Sequence, residues 1–226
     1  MKLSIIIPAY NEEKFIKKVV GIVKKVDLGK IEKEIIIVND ASKDNTGNII
    51  QKIKGVKILN HKVNQGKGAA IRTGLQHATG DIVLIQDADL EYDPNEYPKL
   101  IQPIIQGHAD IVYGSRFTAS HNPKYRLYYL GNKFLTLLTN ILYGARITDM
   151  ETCYKVMKKD VIKGMKLRAN RFDFEPEITA KLLKQKKKII EVPITYHCRD
   201  FAEGKKITWK DGMLAVWYLI KYRFVD

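Results

Sequence analysis

Hydrophobic positions in the first half of the chain fall in short, unbroken, β-branched runs that alternate with stretches of helical spacing. Leu3 to Pro8, Glu34 to Asn39, Val56 to Asn60, Asp81 to Gln86 and Asp110 to Gly114 are the predicted strands. A run such as Ile35-Ile36-Ile37-Val38 has no polar side, so its strand must be covered on both faces, as in a parallel sheet with crossover helices. The pattern therefore predicts an α/β layered fold. In the second half, Leu127, Leu130, Phe134, Leu137, Leu138, Ile141 and Leu142 recur at helical spacing between Arg126 and Gly144. Another helix is predicted to start near Glu175, with a weak strand from Ile189 to Tyr196. A last helix, Ile207 to Phe224, carries Trp209, Met213, Val216, Trp217 and Tyr218 among lysines and arginines.

The 226 residues, 45% of them hydrophobic, suffice for one substantial core, so a single domain is expected. The 39 Lys and Arg against 25 Asp and Glu leave a net charge of +14, which favours an anionic partner: nucleic acid, an acidic membrane or a phosphorylated substrate. Cys153 and Cys198 lie far apart and form no CxxC, so they read as reduced thiols of a cytosolic protein. The apolar run before Pro8 is too short for a signal peptide, and no run reaches the roughly 18 residues of a membrane span.

In parallel sheets, ligands sit beyond the carboxyl ends of the strands. The first exit is Ala9-Tyr10-Asn11-Glu12-Glu13, where Asn11 can cap the following helix. The second is Asp40-Ala41-Ser42-Lys43-Asp44. The fourth is Gln86-Asp87-Ala88-Asp89-Leu90-Glu91, followed by Asp93-Pro94-Asn95-Glu96, which has the order of a cap, a first-turn proline and a capping-box glutamate. Asp87, Asp89 and Glu91 alternate, so a locally extended backbone would place all three on one side, where their mutual repulsion calls for a cation. Carboxylate oxygens suit Mg²⁺ or Mn²⁺; the alternative is a solvated acidic turn.

Asn64-Gln65-Gly66-Lys67-Gly68 could offer backbone amides to an anion but fails the P-loop pattern, and a glycine-rich start of a helix explains it equally. No GxGxxG, HExxH or GxSxG is present, which argues against dehydrogenase, zinc-hydrolase and serine-hydrolase chemistry. Glu175-Pro176-Glu177 invites a paired-carboxylate reading, but Pro176 in a first helical turn points to capping.

Taken together and in order, Pro8-Ala9-Tyr10-Asn11-Glu12-Glu13, Val38-Asn39-Asp40-Ala41-Ser42, Asp87-Ala88-Asp89-Leu90-Glu91, Gly114-Ser115-Arg116-Phe117, Thr148-Asp149-Met150-Glu151-Thr152, Phe174-Glu175-Pro176-Glu177-Ile178 and Glu191-Val192-Pro193-Ile194 resemble the family 2 inverting glycosyltransferases, and within them the dolichyl- or polyprenyl-phosphate sugar synthases. The resemblance implies a GT-A fold with a nucleotide-sugar-binding half (1–115), an acceptor-side half (116–206) and a C-terminal amphipathic helix (207–226). It implies that Pro8, Ala9, Tyr10, Glu12, Val38 and Asp40 surround the base and ribose of a GDP- or UDP-sugar. Asp87, Ala88 and Asp89 would meet the ribose and diphosphate, and Asp89 with Glu91 would hold the metal; mannose synthases often carry Gln at the latter position. Arg116, Arg126, Arg199 and Lys205 would meet phosphate, the last two from a basic loop, and Asp149 would orient a lipid phosphate or act as base toward a hydroxyl.

That resemblance implies an enzyme bound peripherally at the cytoplasmic face of a membrane. The apolar, aromatic and basic residues of the helices at 126–144 and 207–224 suit such an interface, and they equally suit core packing or a homo-oligomer. Rival readings are a hydroxyl-acceptor glycosyltransferase, a nucleotidyltransferase and a nucleic-acid-binding module. The last leaves the acidic triplet unexplained and shows no RNA-recognition or helix-turn-helix signature.

Overall fold

The computed structural model describes residues 1–118, 125–198 and 209–225. Seven strands form one sheet in the order β3-β2-β1-β4-β6-β5-β7: β1 (Lys2–Ala9), β2 (Glu32–Asn39), β3 (Lys57–Asn60), β4 (Ile82–Ile85), β5 (Ile111–Ser115), β6 (Lys155–Lys158) and β7 (Ile190–Pro193). The pairs β1–β2, β1–β4, β2–β3 and β5–β7 are parallel, and β6 runs antiparallel between β4 and β5. The helices are α1 (Ile16–Lys25), α2 (Thr46–Gln51), α3 (Lys67–His77), α4 (Tyr97–Ile105), α5 (Arg126–Tyr143), α6 (Lys159–Ile162), α7 (Phe174–Lys184) and α8 (Trp209–Phe224), with a 3-10 turn at Pro94–Glu96.

The β-branched runs form the central strands because their side chains are buried on both faces: Ile5, Ile6, Ile7, Ile36, Ile37 and Val38 have no exposed surface. Ile5 lies between Ile35 of β2 and Leu84 of β4, so apolar positions stay in register across the sheet. A smaller core of Leu135, Ile147, Met150, Ala215 and Leu219 joins α5 to α8.

Two details differ from expectation. Strand β6 was not foreseen, because Lys155 breaks its apolar run. That lysine is fully buried: its ammonium donates to the carbonyls of Met150 (2.8 Å) and Thr152 (2.6 Å) and lies 4.4 Å from the centre of the Tyr113 ring. Asn11 does not cap α1. Its side-chain oxygen accepts from the Lys43 amide at 2.8 Å and so ties the exit of β1 to that of β2.

Candidate active site

A cleft of about 310 Å³ opens at the carboxyl ends of β1, β2 and β4. The backbone is held in an uncommon state at each of these exits: Asn11, Ala41 and Leu90 have φ of 52°, 56° and 62°. A branched side chain such as Leu90 adopts this left-handed region at a cost, a pattern common around functional sites. The turn at Leu90 also means that the acidic segment is bent rather than extended. Asp87, Asp89 and Glu91 nevertheless all line the cleft, because the turn, and not strand alternation, brings them round.

Gln86 anchors that segment from below. It is fully buried; its side-chain oxygen accepts from the hydroxyls of Tyr97 (2.7 Å) and Tyr154 (2.8 Å), and its amide nitrogen donates to the carbonyl of Asp87 at 2.9 Å. Asp93 caps the following turn, accepting from the Asn95 amide, with Pro94 in the first turn as the motif predicts. Glu96 does not complete a capping box. Its carboxylate accepts instead from the amide and hydroxyl of Thr195, beyond β7.

Asp40 is almost wholly buried at the rim of the cleft. One carboxylate oxygen accepts from His61 Nδ1 (2.7 Å) and the Gln65 amide (2.9 Å), and the other from the Gly66 amide (2.7 Å). The amides of Gly68 and Ala69 donate to the carbonyls of Arg171 and Asn170. The Gln65, Gly66, Gly68 and Ala69 amides at the glycine-rich start of α3 are therefore spent within the protein, which counts against the anion-cradle reading of residues 64–68. The glycines serve close packing: a Cβ on Gly68 would lie 2.7 Å from the Ala169 carbonyl oxygen.

What α3 contributes to the cleft is Lys67. Its ammonium lies 2.9 Å from Asp87 Oδ1 and 3.1 Å from Glu175 Oε1, the latter in the first turn of α7. Burial works against its charge, but the Asp87 and Glu175 carboxylates outweigh that and hold its pKa well above the ordinary lysine value. The two glutamates of Glu175-Pro176-Glu177 thus part company. Glu175 faces the cleft, whereas Glu177 accepts from the amides of Arg168 and Ala169 and pairs with Lys181 at 3.0 Å.

Opposite the acidic segment stands Arg116, directly after β5. Asp149, with no exposed surface, grips it through three hydrogen bonds: from Arg116 Nε (2.7 Å), Nη2 (2.7 Å) and the backbone amide (3.0 Å). Burial opposes the guanidinium's charge, and Asp149 more than offsets it, raising the pKa further. Glu191 of β7 holds the Asp149 segment, accepting from the amides of Thr148 and Asp149.

Of the residues singled out in the sequence, Pro8, Ala9, Tyr10, Glu12, Asp40, Asp87, Ala88, Asp89, Glu91 and Arg116 line the cleft. Val38 is buried within β2, Asp149 lies behind Arg116, and Arg126 is exposed at the start of α5; none of the three lines it. Arg199 and Lys205 lie outside the described residues. Lys67 and Glu175, which the sequence pattern assigned to a helix start and a helix cap, also line the cleft, as do Glu151, placed only within a motif, and Tyr196, to which the sequence assigned no role. Oxygen Oε1 of Glu151 and Oε2 of Glu175 are buried without a hydrogen-bond partner, and burial, together with the nearby Glu175, pushes the Glu151 carboxyl up to about 8.

The sequence profile described as Glycosyl transferase family 2 matches residues 4–165. The chain belongs to this family. Among family 2 relatives, the UDP-N-acetylglucosamine–dolichyl-phosphate N-acetylglucosaminyltransferase of Methanococcus voltae is 35% identical over 218 residues, covering 85% of this chain and 84% of its own length. The dolichol-phosphate mannosyltransferase of Pyrococcus furiosus is 30% identical over 213 residues, 91% of this chain but 59% of that longer protein. In fold, this glycosyltransferase is similar to glucosyl-3-phosphoglycerate synthase of Mycobacterium tuberculosis, solved with Mn²⁺, UDP and phosphoglyceric acid. The TM-score is 0.77 at 19% identity, covering all of this chain and 79% of the other. The mostly parallel sheet, with its cleft at the strand exits, is thus a GT-A architecture.

Proposed function

We propose that this family 2 glycosyltransferase moves a sugar from a nucleoside-diphosphate sugar to a polyprenyl or dolichyl phosphate at a membrane surface, assisted by Mg²⁺ or Mn²⁺. The observation that carries the reading is the meeting, across one cleft, of Asp87, Asp89 and Glu91 with the buried, permanently charged Arg116. A diphosphate needs cations on its oxygens, and a strand-exit crevice is where a nucleotide fits such a sheet. The names of the relatives, which act on dolichyl phosphate, support the acceptor class.

Asp89 and Glu91 offer hard oxygen donors suited to either cation. Among the described residues no three His, Cys, Asp or Glu side chains form a cage, which fits an ion that shares its coordination with substrate phosphate and water. When bound, the ion supplies charge neutralisation to the diphosphate. The chain's own residues do the rest. Arg116, fixed by Asp149, meets charge growing on the leaving diphosphate. Lys67 holds Asp87 in place through their ion pair. Pro8, Ala9, Tyr10 and Glu12 flank the nucleoside end, Asp40 shapes the loop beside it, and residues 1–115 form the donor half.

A lipid phosphate is already an anionic nucleophile at neutral pH and needs no strong base. The commitment of Asp149 to Arg116 suits such an acceptor. Glu151 bears on the second reading, a hydroxyl acceptor, because it places in the cleft a carboxyl whose pKa is raised by burial and Glu175, and its ionised form would be the base.

The membrane part rests on α5 and α8. Leu138 and Leu142 of α5 pack on the smaller core, while Leu127 (80% exposed), Leu130, Phe134, Leu137 and Ile141 (70%) form an outward stripe. Met213, Trp217 and Phe224 (78%) are likewise exposed on α8, with Arg126, Lys221 and Arg223 nearby in sequence. An apolar strip flanked by cations suits anionic bilayers, and no helix among the described residues is long and apolar enough to cross one. The test of the whole reading is a screen of GDP- and UDP-sugars labelled in the sugar, with Mn²⁺ and a short polyprenyl phosphate. Label in the organic phase is the expected result. Label found only on a saccharide acceptor gives the second reading, and release of pyrophosphate rather than nucleoside diphosphate rejects both.

A further inference from the structure

Beyond β7 the chain leaves the end of β5 and runs antiparallel beside residues 91–96, fastened at successive residues. The Ile194 amide donates to the Ser115 carbonyl at 3.0 Å, and Thr195 donates to Glu96 from both its amide (3.1 Å) and its hydroxyl (3.1 Å). Tyr196 forms an antiparallel bridge with Tyr92, and the His197 amide donates to the Glu91 carbonyl at 2.9 Å. Within this seam the side chain of Tyr196 lines the cleft and touches both of its opposed charges. Its hydroxyl donates to Glu91 Oε2 at 2.9 Å, and the guanidinium carbon of Arg116 lies 5.2 Å from the centre of its ring. The Tyr92 ring packs edge-on against it at 5.2 Å, which restricts the ring.

We infer that Tyr196 is a positioning residue that sets the Glu91 carboxylate and the Arg116 guanidinium in one fixed arrangement, joining the metal-holding and diphosphate-holding sides of the cleft. The inference rests on the metal and diphosphate reading of the site. A carboxylate on a surface turn has free rotation about its side-chain bonds; a hydroxyl donated to one oxygen removes much of that freedom, as outer-shell partners do for metal ligands. An aromatic face under a guanidinium restrains the cation while leaving its charge intact. Because one rigid ring performs both tasks, the spacing between the two charges is set before substrate arrives, which is the requirement for preorganised stabilisation. Tyr196 itself exchanges no proton or bond with substrate.

The hydroxyl and the ring are separable by substitution. Tyr196→Phe removes the Glu91 hydrogen bond and keeps the ring; Tyr196→Leu removes both. The measurement is a titration of Mn²⁺ into each protein with GDP and with UDP, following the electron paramagnetic resonance signal of free Mn²⁺, beside a thermal melt of each variant. The expected result for Tyr196→Phe is Mn²⁺ affinity lowered by about 10- to 100-fold, with nucleoside-diphosphate affinity at saturating Mn²⁺ unchanged. For Tyr196→Leu, affinity for nucleoside diphosphate falls as well. A Tyr196→Phe protein that melts below wild type yet binds Mn²⁺ as tightly shows a purely structural tyrosine and overturns the inference. Equal Mn²⁺ affinity without a change in melting overturns it also. A wild-type protein that binds no Mn²⁺ with either nucleotide instead rejects the metal site, and the positioning role with it.

Discussion

Removing the Asp149 carboxylate tests the site's electrostatics most severely. In Asp149→Ala the guanidinium of Arg116, itself buried, loses the acceptor of two hydrogen bonds and its counter-charge together, and the Arg116 backbone amide loses its acceptor as well. Breaking a buried ion pair from one side costs about 3–5 kcal/mol, because the remaining charge stays desolvated. For a domain of this size each kcal/mol shifts Tm by roughly 2–4 °C, so the variant should melt about 6–20 °C lower. Urea unfolding followed by far-ultraviolet circular dichroism gives the free energy directly. The double variant Arg116→Met, Asp149→Leu should recover most of the loss, since replacing both buried partners by apolar groups is often neutral. It should transfer no sugar all the same. An Asp149→Ala protein within about 1 kcal/mol of wild type, or a double variant no more stable than the single one, would refute the argument that burial makes this pair mutually dependent.

Lys67→Met leaves Asp87 and Glu175 facing one another without their shared cation; stability should fall by about 3 kcal/mol, and donor affinity, measured by calorimetry, should fall with it. Gly68→Ala drives a methyl into the Ala169 carbonyl, so a lower Tm is expected together with weaker nucleotide binding, because the displaced loop carries Lys67. Glu151 predicts a pH effect. Its carboxyl is raised in the folded state from 4.5 to about 8, so the folded chain keeps a proton that the unfolded chain has lost. Stability from this group is full below the unfolded value and is eroded by up to ~1.4 kcal/mol per pH unit up to the folded one. Tm measured from pH 5 to 8 should therefore decline more steeply in wild type than in Glu151→Gln. Trp217→Glu, which places a charge on the outward stripe of α8, should reduce co-flotation with anionic liposomes at low salt; unchanged flotation would count against the membrane face and leave a second copy of the chain as its occupant.

The layered fold was legible because it rests on local periodicity. Ile35 to Val38 can only be a strand covered on both sides, and the polar exits of β1, β2 and β4 follow from where such runs stop. Strand β6 was not legible, since Lys155 interrupts its pattern and only the carbonyls of Met150 and Thr152, arranged by the fold, make its burial tolerable. The acidic segment was found from spacing, yet the turn at Leu90 that gathers its carboxylates is a backbone state that spacing does not encode. Charge pairing was the least visible layer. Arg116 and Asp149 are 33 residues apart, and Tyr196 and Glu91 are 105 apart; which arginine an aspartate holds depends on how β5 and β7 are placed. Glu175 and Glu177 illustrate the same limit: two residues apart and chemically alike, they diverge because α7 turns one toward Lys67 and the other toward Lys181.

The central claim is that Asp89, on the acidic segment, supports metal-dependent sugar transfer to a lipid phosphate. The decisive measurement is the single-turnover rate of transfer from labelled donor to polyprenyl phosphate, with and without chelator, in wild type and Asp89→Ala. Transfer by wild type should stop with chelator and return with added Mn²⁺, and Asp89→Ala should fall by at least about 100-fold, the order of effect expected when stabilisation of the leaving group is lost. An Asp89→Ala enzyme that transfers sugar at the wild-type rate, with metal dependence intact, would contradict it.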